Sequence, residues 1–233
     1  MSDNPIICAI DTPDIARAKE LCHLLQGHVG AVKLGLEFFS AHGPAGVREV
    51  LPEGMPLFLD LKYHDIPNTV GKAIRALKGL PVWMVTIHTS GGVKMMQAAA
   101  EAADWLAEQG QVRPNILGVT VLTSMDKADL KEIGIKTDVA KQVKHLAVLA
   151  ADHGLDGLVC SPLEIDLLRK TPSKAKKEML LVVPGIRPEG FDKNDQKRVM
   201  TPKQALEAGA DYLVIGRPIT QAEDPVGVVQ ALL

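Results

Sequence analysis

Along the chain, short runs of β-branched and other apolar residues alternate with longer stretches in which apolar positions recur every three to four residues. The short runs predict strands at Ile6–Ile10, Ala31–Leu34, Leu57–Lys62, Val82–Ile87, Ile116–Val121, Gly157–Cys160, Leu180–Val183 and Tyr212–Ile215. The longer stretches predict helices, among them Pro13–Leu25, Pro67–Leu77, Val93–Glu108, Thr137–Asp152 and Pro162–Arg169. In the first of these, Ile15, Ala18, Leu21, Cys22 and Leu25 form one apolar stripe. Strict strand–helix alternation calls for parallel strands joined by right-handed crossovers, and eight strands predict one closed (β/α)8 barrel, a TIM barrel. A doubly wound open sheet shares the alternation, but no GxGxxG follows the first strand.

Length and composition narrow the picture further. Barrels of this kind typically take about 250 residues, so a chain of 233 is expected to form one domain over residues 1–233. Lys+Arg of 26 against Asp+Glu of 28 leaves a net charge of -2, which speaks against bulk binding to nucleic acid or anionic membrane. An aromatic content of 3% argues against a single-strand binder built on stacking platforms. No apolar run reaches the ~18–20 residues of a membrane helix, and Met1–Pro5 carries no positive charge, so a cytoplasmic protein is expected. Cys8, Cys22 and Cys160 are odd in number and widely spaced, and read as buried small hydrophobes. The histidines show neither HxH nor HExxH spacing, so no structural metal is expected.

The chemistry concentrates in Leu57–Thr69, LFLDLKYHDIPNT. Strand side chains alternate between faces, so Leu57, Leu59 and Leu61 can pack under the outer helices while Phe58, Asp60 and Lys62 point into the barrel. Opposite charges on an inner face are costly unless paired. They could be a salt bridge that closes the barrel mouth. Yet Asp65 follows in the loop, Lys33 ends the second strand in the same manner, and Asp11 ends the first. Asp11 has a local alternative as a helix cap, although Thr12 is the better-placed cap. Together these charges are expected to converge on one rim and to read as a reaction centre.

A phosphate site is suggested independently. The last strand runs into Gly216–Arg217–Pro218, where Gly216 allows close backbone approach, Arg217 offers a two-pronged donor and Pro218 suits a helix start. Gly185–Ile186–Arg187 after the seventh strand belongs to the same picture, because phosphate sites after strands seven and eight are frequent in barrels. Gly185–Thr201 is expected to be a long functional loop, and Lys170–Glu178 a solvated surface segment. Two weaker signals are the hydroxyls of Thr120–Ser124, suited either to a heterocyclic ligand or to helix capping, and His88–Gly92, read as capping. His64 reads as structural.

Taken together, AIDTP (Ala9–Pro13), KLG (Lys33–Gly35), LDLKYHDIPNT (Leu59–Thr69), VTVLTS (Val119–Ser124), VPGIRPEG (Val183–Gly190), DQKRVMTP (Asp195–Pro202) and ADYLVIGRPIT (Ala210–Thr220) resemble the orotidine 5′-phosphate decarboxylases in their bacterial form. The resemblance runs over essentially the whole chain. It implies conversion of orotidine 5′-phosphate to uridine 5′-phosphate and CO2 in pyrimidine synthesis, with no metal and no organic cofactor. It implies Lys62 as proton donor to C6, in a charge network with Asp60, Lys33 and Asp65. It also implies a homodimer in which Asp65 and Thr69 reach the neighbouring subunit's site. Asp11 and Lys33 would hold the ribose, Thr123 the pyrimidine, and Arg187, Gln196, Gly216 and Arg217 the phosphate and its closing loop.

Three other readings compete. Metal-dependent sugar-phosphate decarboxylases and aldolases share a DxKxxD strand, but generally carry a carboxylate where this chain has Lys33. A Schiff-base aldolase would need a neutral Lys62, which flanking Asp60 and Asp65 disfavour. A catalytically silent nucleotide-binding protein would have no use for Asp60, Lys62 and Asp65 together.

Overall fold

The computed structural model describes residues 4–175, 178–187 and 200–232. The first half runs β1 (Ile6–Ile10), α1 (Ile15–Leu24), β2 (Ala31–Gly35), α2 (Leu36–Val50), β3 (Leu57–Tyr63), α3 (Pro67–Arg75), β4 (Val82–His88) and α4 (Val93–Glu108). The second half runs β5 (Asn115–Val119), α5 (Lys127–Glu132), α6 (Val139–Asp152), β6 (Gly157–Val159), α7 (Ile165–Arg169), β7 (Leu180–Val183), α8 (Pro202–Glu207), β8 (Tyr212–Ile215), α9 (Arg217–Thr220) and α10 (Pro225–Ala231). The eight strands are parallel and close on themselves in sequence order, with β8 pairing back to β1. This is the barrel that the alternation predicts.

Two apolar cores follow from the twofold alternation of strand side chains. One joins the outward residues of the strands, such as Ile6, Cys8, Val32, Leu34, Leu57, Leu59 and Leu61, to the helices through Ala18, Leu21, Phe38 and Val47. The other is built by strands alone and fills the barrel: Ile7, Ala9, Ala31, Phe58, Met84, Leu117, Val182 and Val214. Reading onward along the inward rows, apolar residues give way to polar ones. Ile7 and Ala9 lead to Asp11, Ala31 to Lys33, Phe58 to Asp60, and Met84 to Thr86 and His88. The wide end of that gradient is the carboxyl end of the strands, where barrel sites form.

The elements differ from the sequence expectation where packing decides. β5 stops at Val119 rather than Val121, because its neighbour β6 is three residues long and the ladder ends at Val119↔Val159. The first helix is capped by Asp14, which accepts from the Arg17 amide, and not by Thr12. Thr12 instead accepts from the Asp14 amide. α4 follows Gly92 without a side-chain cap, and the Thr89 hydroxyl donates to the Val119 carbonyl, so capping is not the use of that segment. α2 is broken at Gly43, whose φ of 57° a residue with a side chain rarely adopts. Among the described residues, no helix is long and apolar enough to cross a membrane.

Gly157 marks a tight strand contact. A Cβ there would lie 2.6 Å from the Leu180 carbonyl oxygen and 2.8 Å from Leu117 Cδ2. We expect Gly157→Ala to lower stability by about 1–3 kcal/mol, read as a reduced urea midpoint, since neither backbone nor packed leucine can yield cheaply.

Candidate active site

Asp11, Lys33, Asp60 and Lys62 meet at the carboxyl end of the first three strands, as the alternation predicts. Lys33 Nζ donates to Asp11 Oδ1 at 3.0 Å and stands 3.6 Å from Asp60 Oδ2. Lys62 Nζ donates to the same Asp60 oxygen at 2.7 Å. Along the rim the charges therefore alternate: carboxylate, ammonium, carboxylate, ammonium. Lys33 is 7% exposed, so its charge is tolerable only because carboxylates face it on two sides. Burial alone would push its amine down, but Asp60 and Asp11 outweigh that and hold it above its ordinary value. Burial would likewise push the Asp60 carboxyl up. The Lys33 and Lys62 charges, with hydrogen bonds from Lys62 and Thr86, hold it below the usual carboxylate range.

Thr86 is a member of the site that the sequence reading passed over. It is fully buried on β4, donates to Asp60 Oδ1 at 2.9 Å and accepts from the Lys62 amide at 2.9 Å. In a WMVTIH run a threonine reads as an ordinary strand former. The only signal was its inward parity with Met84 and His88. Lys62 itself has φ 47°, and no other non-glycine among the described residues has positive φ. The His88 ring packs against His64 with centroids 5.5 Å apart. Burial, then His64 and Lys62, push His88 down, against Asp60.

Asp11, Lys33, Asp60 and Lys62 line one side of a cleft of about 400 Å³, within the usual range for small-molecule sites. Thr123, Arg187, Gly216 and Arg217 line it as well. The helix after Thr123 is capped by Asp126, so the Thr123 hydroxyl is not used there. Arg217 opens the short α9 beside the Gly216 backbone, where an added Cβ would meet no protein atom closer than 3.4 Å. Arg187 is almost buried, with its Nη1 donating to the Ile186 carbonyl. Its amide donates to the Met200 carbonyl, and Ile186 pairs with Met200, so both ends of the long polar loop are tied beside the cleft.

The structure does not bring every expected residue together. Asp65 is exposed, accepts from the adjacent Ile66 amide, and makes no ion pair among the described residues. Thr69 is exposed on α3. Neither lines the cleft of its own chain. Gln196 lies outside the described residues, as does most of Gly185–Thr201.

The chain matches the family model described as "Orotidine 5'-phosphate decarboxylase / HUMPS family" over residues 4–232. It is 52% identical over 230 residues to an orotidine 5′-phosphate decarboxylase of Ehrlichia canis, covering 99% of this chain and 96% of the relative. A second such relative, from Paramagnetospirillum magneticum, is 51% identical and covers 95% of this chain and 94% of its own length. Among solved structures, the crystal structure of orotidine 5′-phosphate decarboxylase from Lactobacillus acidophilus superposes with a TM-score of 0.84 at 36% identity, covering 98% of this chain and 97% of that one.

The directions of the two buried shifts fix a pH window. Asp60, held below its ordinary value, contributes stability above about pH 4 and loses it as acid titrates the folded protein. Lys33, held above its ordinary value, contributes below about pH 10 and loses that in stronger alkali. Denaturant midpoints are therefore expected to be flat between these limits as far as this cluster is concerned. Asp60→Asn should shrink the loss on the acid side, since no carboxylate is left there to titrate.

Proposed function

Because the chain belongs to the orotidine 5′-phosphate decarboxylase / HUMPS family, we propose that it decarboxylates orotidine 5′-phosphate with its own charged residues as the catalyst. The observation that carries this reading is the alternating row Asp11–Lys33–Asp60–Lys62 along the cleft. When the C6–carboxylate bond breaks, CO2 leaves and the electron pair stays on C6, in the plane of a ring that delocalises it poorly. The Lys62 ammonium uses one of its three donors on Asp60, which leaves two for the cleft. It stabilises the growing negative charge at C6 and then gives it a proton, and solvent restores the proton to the amine.

Magnitudes show that one lysine is not enough. Unit charges about 4 Å apart interact by ~4 kcal/mol at an effective dielectric of 20. Enzymatic accelerations correspond to about 8–23 kcal/mol. The balance is assigned to a network already fixed before substrate arrives, and to binding energy from the phosphate. Arg217, at the exposed edge of the cleft, and Arg187 are the groups suited to grip that phosphate. Asp11 and Lys33 are assigned to the ribose hydroxyls and Thr123 to the pyrimidine, with Gln196 assigned to the closing loop. Lys33 stands between two carboxylates, where a magnesium-dependent relative would need a further carboxylate.

Asp65 and Thr69 are assigned to a partner subunit's cleft in a homodimer. The support is that both are exposed and lie outside their own chain's cleft, next to Ile66, which is 67% exposed.

Chelator-treated protein is expected to bleach the ultraviolet absorbance of orotidine 5′-phosphate at full rate; a magnesium requirement would favour the metal-dependent relatives. Lys62→Ala should lose at least about 10³-fold in kcat while still binding uridine 5′-phosphate. Full activity in that variant would sink the mechanism. Arg217→Ala should cost roughly 10²-fold on the phosphorylated substrate and almost nothing on orotidine itself. Equal losses on both substrates would refute the phosphate grip.

A further inference from the structure

Between the paired positions Leu59↔Val85 and Tyr63↔Ile87, the ladder of β3 against β4 loses its regular register. Three residues of β3, namely Asp60, Leu61 and Lys62, there face a single residue of β4, Thr86. Such a bulge takes amides out of the ladder and bends the strand, and its last residue, Lys62, is the one with φ 47°. The Thr86 hydroxyl spans the irregularity. It donates to the Asp60 carboxylate at one end and accepts from the Lys62 main chain at the other, both at 2.9 Å. With Oδ1 occupied by Thr86, Asp60 presents Oδ2 to Lys62 and Lys33.

We propose that Thr86 is a positioning residue for the decarboxylation: its hydroxyl closes the bulge and so fixes where the Lys62 ammonium and the Asp60 carboxylate stand relative to each other. The proposal rests on the reading of the preceding section. Thr86 does not line the cleft, and it acts only through its two neighbours. Valine has the same branched shape and suits the strand, but it would leave the Lys62 amide and Asp60 Oδ1 without this partner in a buried place. The bulge could then relax and swing the ammonium away from C6, and a misplacement on the ångström scale costs about 10²-fold in rate.

The test compares Thr86→Val and Thr86→Ser with the natural protein in kcat and KM for orotidine 5′-phosphate, and in the titration of the Asp60 carboxyl followed by 13C NMR. Thr86→Val should lower kcat by about ten-fold or more with KM nearly unchanged, and Thr86→Ser should restore kcat to within about three-fold. Asp60 should titrate at higher pH in Thr86→Val than in Thr86→Ser, because only the serine keeps the hydrogen bond. Lys33 on β2, Lys62 on β3 and His88 on β4 also face Asp60, and neither variant alters them. Thr86→Ala, free of any steric conflict, repeats the test if Thr86→Val does not fold. Unchanged kcat in Thr86→Val, or an equal loss in Thr86→Ser, overturns the proposal. If the natural protein does not decarboxylate, the function proposed above fails. The Asp60 titration then decides on Thr86 by itself, and a midpoint unmoved in Thr86→Val overturns its positioning role.

Discussion

Asp60 satisfies three groups at once: Lys62 at 2.7 Å, Thr86 at 2.9 Å and, more loosely, Lys33 at 3.6 Å. Taking a carboxylate and two amines out of water is costly, and the cost is offset only if each charge keeps a partner of opposite sign and good geometry. Asp60 is therefore the member that cannot be removed without stranding the others. Lys33 would keep only Asp11, which is itself largely exposed, and Lys62 would lose its one ion-pair partner among the described residues. A row of like size with its charges in another order would repel itself at these separations. The alternation is thus a condition for folding the rim as well as for the proposed reaction.

The barrel makes this arrangement affordable by separating two tasks. Phe58 and Asp60 point the same way from one strand: Phe58 belongs to the strand-built core and meets the cleft from there, while Asp60 brings charge to the same cleft. Rigid packing below holds the charged layer above, which is the requirement for electrostatic stabilisation without reorganisation. Neighbouring strands supply successive members of the row, Asp11 from the end of β1, Lys33 from β2, and Asp60 and Lys62 from β3. Parallel pairing of β1, β2 and β3 sets the spacing from Asp11 to Lys33 to Asp60, whereas Lys62 follows where the β3–β4 ladder is irregular.

Much of this was legible in the residues, for definite reasons. Strand periodicity needs only local information, so β1, β7 and β8 end where their apolar runs end, and the inward parity of Phe58 and Asp60 follows from position alone. Asp14 as cap, and the early end of β5, depend on where neighbouring elements begin and stop, which no short window contains. Thr86 was hidden for a deeper reason. Its role exists only because β3 carries extra residues opposite it, and register between strands is a non-local quantity. The roles of Asp65 and Thr69 were implied by the family resemblance, and a single chain leaves both residues on its surface.

The left-handed backbone at Lys62 has a consequence for how such a site persists. A conformation with φ 47° is free for glycine and costs a side-chain-bearing residue roughly 1–2 kcal/mol. Under selection for thermal stability alone, glycine, which takes that φ without strain, would be favoured there over lysine. Local backbone preference therefore works against this lysine, and what holds it is the surrounding hydrogen bonding, from its ammonium to Asp60 and from its amide to Thr86.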